Sequence, residues 1–123
     1  MPAENLFRVG GVELRVDHRS FGDDGGPAVR VLAETDGQAI QLLRFDCFRK
    51  DPHYHYDPAG KDDKRDLNKD EVPDPIAWTV ERLRNDLPEM IRTAGYPDVA
   101  SRVDQGAVAD VLAEVEDIMR DAG

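Results

Sequence analysis

Apolar and polar residues alternate along the first half of the chain. Val12, Leu14 and Val16 alternate with Glu13, Arg15 and Asp17, and Val29, Val31 and Ala33 alternate with Arg30 and Glu34. A period of two puts all the apolar side chains on one face, the mark of a strand with one side buried. Asp36-Gly37 separates the second run from a third, residues 38–48. Asp-Gly between two such runs predicts a tight hairpin, because its turn needs positive φ. Gly10-Gly11 predicts a turn or bulge after a short piece containing Phe7 and Val9. Residues 20–27, with three glycines and two aspartates, read as a loop. Residues 49–52 read as a turn and residues 53–57 as a short fourth strand. The expected sheet is an antiparallel meander.

The period then changes. Residues 58–73 carry the charged run Lys61-Asp62-Asp63-Lys64-Arg65-Asp66 with only Leu67 and Val72 as large apolar residues, and read as a solvated loop. Asp74-Pro75 is a helix N-cap followed by proline at the first helical position, where a missing N–H costs nothing. From there Ile76, Val80, Leu83, Leu87, Met90 or Ile91, and Ala94 recur every three or four residues. Pro88 should kink or restart this helix, and Gly95 should end it. Residues 97–103 suggest a short helical turn. Asp104 should cap a last helix whose apolar face is Val108, Val111, Leu112, Val115, Ile118 and Met119.

Strands first and helices second predict an α+β fold, with a meander of about four strands followed by two main helices packed on one face. The length of 123 residues suits one domain, with a β half (1–57), a charged loop (58–73) and a helical half (74–123). The net charge of −10 disfavours non-specific nucleic-acid binding and anionic membranes, leaving a protein partner or self-association as the expected interaction. No apolar run approaches the ~20 residues of a membrane span, so a cytoplasmic location is expected. Cys47 is the only cysteine, in a strand-like context that favours a buried hydrophobe over a nucleophile.

The sharpest chemistry lies in His53-Tyr54-His55-Tyr56-Asp57. On a strand, His53, His55 and Asp57 would share one face, with the tyrosines on the other. Alternate histidines can converge on a divalent ion such as zinc, with Asp57, Asp46 or His18 as a third ligand. Without a metal, the histidine pair could serve as general base and acid, with Arg44, Arg49 or Lys50 stabilising a phosphate. Trp78, off the main helical stripe, is expected at the helix–sheet edge.

Residues 43–48 (LRFDCF), 51–56 (DPHYHY), 74–79 (DPIAWT), and Leu87-Pro88-Glu89-Met90 with Ala94-Gly95-Tyr96 resemble small prokaryotic proteins grouped as a family of unknown function. That resemblance spans about residues 29–104 and implies no activity. The order of hairpin, Arg44-Phe45-Asp46 strand and His53/His55 strand also resembles TumE-type toxins of bacterial toxin–antitoxin pairs. That likeness implies a toxin-like ribonuclease. The leading expectation is a binding or interaction protein, and the alternative is a ribonuclease or metal-binding hydrolase built on His53 and His55.

Overall fold

The computed structural model describes residues 5–121. Six strands form one antiparallel sheet in sequence order: β1 Asn5–Val9, β2 Val12–Phe21, β3 Asp24–Thr35, β4 Gln38–Asp46, β5 His53–Tyr56 and β6 Asp63–Asp66. Four helices follow: α1 Pro75–Asn85, α2 Leu87–Thr93, α3 Pro97–Ala100 and α4 Gln105–Arg120. The α+β class is as expected, but there are six strands rather than four, and two short helices join the two long ones.

The alternating pattern decides which face is covered. Leu14, Val16, Val29, Val31, Leu43 and Phe45 point to the helices and are almost completely buried. Helix α4 lies over β1 to β3, while α2 lies over β4 and β5. The Asp36-Gly37 turn forms as expected, with φ of 52° and 80° and Thr35 paired to Gln38. A bulge then interrupts the β3–β4 ladder, since Val31 faces Leu43 but Leu32 faces Gln41. Leu42 is the extra residue. The inward positions of β4 therefore change from even numbers to odd at this point, and Leu42 and Leu43 are both buried.

One turn is tighter than the sequence suggests, and the expected Gly10-Gly11 turn forms. The residue 20–27 loop shrinks to Gly22 and Asp23, because Phe21 pairs with Asp24 and β3 begins there. Gly10 and Gly11 close the β1–β2 turn with φ of 59° and 86°. A Cβ on Gly10 would stand 2.6 Å from the Asp104 carbonyl oxygen, so glycine lets this turn touch the start of α4. Asp104 N–H donates to the Gly10 carbonyl at 3.0 Å.

The charged segment is not simply a loop. Residues 63–66 pair with β5 as the edge strand β6, every residue of it exposed. Its two cations between two aspartates are what a protected sheet edge carries, and they contain no apolar period to betray a strand. In the helical half, Asp74 and Asp104 cap α1 and α4 by accepting from Ala77 and Ala107 N–H. Pro88 restarts the helix as α2, and Gly95 follows its end with φ of 105°. Trp78 is half-buried, tilted against Phe45 and Tyr54 at the helix–sheet boundary. Among the described residues no helix is long and apolar enough to cross a membrane.

Candidate functional site

The helix-free face of the sheet holds the polar cluster. Its register follows from the strand pairing: Asp46 faces His53, Arg44 faces His55, and His55 faces Lys64. Arg19 reaches in from β2. Together with Asp24, Phe48 and Asp51 these side chains line a recess of about 260 Å³. The connection from β4 to β5 is held by Asp24, whose carboxylate accepts the N–H groups of Lys50 and Asp51, each at 3.0 Å. That anchor sets where β5 begins, and hence where His53 stands.

Asp46 is the centre. Its side chain is fully buried, and three cationic or basic groups surround it. Arg19 Nη1 donates to Oδ1 at 2.8 Å, Arg44 Nε to Oδ2 at 3.0 Å, and His53 Nε2 to Oδ2 at 3.0 Å. Burial alone would raise this carboxyl. The His53 hydrogen bond and the charges of Arg44 and Arg19 outweigh burial and hold it at about 2.

Hydrogen-bond chemistry assigns the protons on both histidines. His53 Nδ1 lies 2.7 Å from the Asp51 carbonyl oxygen, and its Nε2 contacts a carboxylate. Both partners only accept, so both ring nitrogens donate and His53 is an imidazolium. Its pKa is accordingly raised, chiefly by the Asp46 bond. His55 differs. Arg44 Nη2, an obligate donor, lies 3.0 Å from His55 Nε2, which must therefore accept. His55 Nδ1 donates to Asp62 Oδ1 at 2.8 Å. His55 is thus neutral, and burial followed by the Arg44 charge lowers its pKa. The two rings stand 5.0 Å apart, edge to face. Phe48 packs against His53, and Arg19 lies over the Phe48 ring.

The structure brings His53, His55, Arg44 and Asp46 together, but not Asp57 or His18. Asp57 has φ of 53°, which ends β5 and turns its side chain off the strand's alternation. Its carboxylate accepts from Lys61 N–H at 2.8 Å and from the Tyr96 hydroxyl at 2.5 Å, stapling the β5–β6 turn to the helical layer. His18 lies on the helix side, 3.3 Å from the Met119 carbonyl oxygen. Cys47 also faces the helices, near Pro75 and Thr79, with burial pushing its thiol up to about 12. Lys50 pairs with Asp23, and Arg49 faces a different cavity. Sequence reasoning missed Arg19 and Asp24. Arg19 continues the polar alternation of β2, but only the sheet register brings it beside Asp46.

Asp46, His53 and His55 place one ligand atom each within 4.8 Å of one another, and both histidines have their Nδ1 atoms braced. That bracing is common behind metal-ligating imidazoles. The space between Asp46 Oδ2 and His55 Nε2, however, is bridged by the Arg44 guanidinium. A divalent ion held by these donors would have to displace Arg44 and sit beside Arg19.

The fold and this recess define an α+β protein with a histidine- and arginine-lined polar site on its open sheet face. The chain belongs to the family described as a domain of unknown function (DUF7700), whose model matches residues 6–119. No curated protein and no solved structure matches the chain.

Proposed function

We propose that this is a binding protein whose recess takes an anionic group of the phosphate or carboxylate class. One observation carries the reading: Arg19, Arg44 and the His53 imidazolium surround a single buried carboxylate. With Lys64 set against Asp24 and Asp51, the lining holds four cations and three carboxylates, a small positive excess on a chain of net charge −10. Arg19 commits one donor atom to Asp46, and Arg44 commits two to Asp46 and His55, which leaves guanidinium N–H bonds for an oxyanion. A metal ion fits less well, since those guanidinium groups already satisfy the carboxylate. Calorimetry with phenyl phosphate tests the reading. Saturable binding that weakens at least tenfold in Arg44→Gln supports it, and no heat at millimolar ligand contradicts it.

A second reading is favoured by the opposite charge states of the neighbouring histidines. His55 would take the proton of a ribose 2′-hydroxyl as its oxygen attacks phosphorus, and His53 would protonate the departing 5′-oxygen. Binding comes first because protein acceptors already take both His53 N–H groups. Cleavage of an oligoribonucleotide that is lost in both His53→Ala and His55→Ala would promote the second reading.

A further inference from the structure

A second cavity, of about 560 Å³, opens beyond the β4–β5 connection, on the far side of Phe48 from the histidines. Pro27, Cys47, Phe48, Pro75, Ile76 and Met119 supply its walls. The volume lies within the range of roughly 300–1,000 Å³ that small-ligand pockets occupy. Cys47 is no reactive group here. Its thiol is buried against Thr79, so it acts as apolar wall.

The charges at the mouth are not balanced. Asp74 is the carboxylate there, and it is already taken by Arg120 at 2.9 Å and by the N–H of Ala77. Arg49 and Lys69 also stand at this mouth. Neither side chain makes a hydrogen bond or ion pair with any described residue. Arg49 lies within electrostatic reach of Asp24, but that carboxylate is already taken by the N–H groups of Gly25, Lys50 and Asp51, and neither cation at this cavity is held at ion-pair distance although the chain has 26 acidic residues against 16 basic ones.

We propose that this cavity binds a small amphipathic anion, with its hydrocarbon part against the apolar walls and its carboxylate or phosphate head between Arg49 and Lys69. Burying a chain of several methylenes provides the affinity. The two cations select the charged head over a neutral one.

The probes are decanoate, below its micelle concentration, and decanol. The readout is the ¹³C-methyl signal of Met119, a side chain in the cavity wall. Decanoate should shift that signal saturably and bind at least tenfold tighter than decanol. The double variant Arg49→Ala/Lys69→Ala changes only exposed side chains and should bring decanoate down to the affinity of decanol. Any of three results overturns the proposal: no saturable shift with decanoate, equal binding of the two probes, or a preference for decanoate that survives in the double variant.

Discussion

At the scale of single residues, the recess depends on Asp46. Its carboxyl is lowered from 3.8 to about 2, a shift worth about 2.5 kcal/mol for a group this deeply buried. A depressed carboxyl contributes stability above its unfolded pKa and loses it as pH falls through the folded one. Chemical denaturation should therefore show most of this loss, ~1.8 kcal/mol, between pH 4 and pH 2, and the loss should be missing in Asp46→Asn. Equal acid sensitivity in the two proteins would contradict the charge assignment. At neutral pH the same substitution should cost about 3 kcal/mol, because it leaves Arg19, Arg44 and His53 without their counter-charge. The two histidines work in opposite senses. His53, raised, contributes stability below about 6.5 and loses it as pH rises through its folded pKa, whereas His55, lowered, costs stability as pH falls below about 6.5. Asp57 belongs to a different network. Tyr96→Phe should lower stability by about 1 kcal/mol in urea denaturation and leave phosphate binding unchanged, since its hydroxyl serves Asp57 and not the recess.

At the scale of elements, the contact between the β1–β2 turn and α4 joins sheet to helical layer. Gly10→Ala must accommodate both φ of 59° and a methyl group 2.6 Å from the Asp104 carbonyl oxygen. It should lower the melting temperature by an amount corresponding to more than about 1 kcal/mol, while the same change at Gly37, which has open space, should cost only the turn strain. The sequence showed most elements because their signals are local. Alternation marked β2 to β4, Asp36-Gly37 marked a hairpin, and Asp74 and Asp104 marked helix starts. It hid β6 because Asp63-Lys64-Arg65-Asp66 has no buried face and therefore no period. It hid the short β2–β3 turn because glycine and aspartate suit strand ends as well as loops. The site was half legible. Alternation placed His53 and His55 on one face, but Asp57 was misplaced because positive φ at one residue breaks the alternation, and Arg19 was invisible without the strand register.

At the scale of the whole molecule, a chain of net charge −10 gathers Arg19, Arg44, Lys64 and two histidines with three aspartates in a small recess on the open face of its sheet. The overall field repels polyanions, while the proposed ligand of the recess is a single oxyanion, for which that field is screened over about 8 Å at physiological salt. Fluorescence anisotropy with labelled duplex DNA should accordingly show no binding at physiological salt, and tight, salt-dependent duplex binding would contradict this view of the surface. The recess itself is tested most directly by its proton positions. Long-range ¹H–¹⁵N spectra of the histidine side chains at pH 6.5 should show His53 mostly protonated on both nitrogens. They should show His55 mostly neutral, with its proton on Nδ1, and both rings should shift saturably when inorganic phosphate is added. A neutral His53, a protonated His55, or rings indifferent to phosphate would contradict the account.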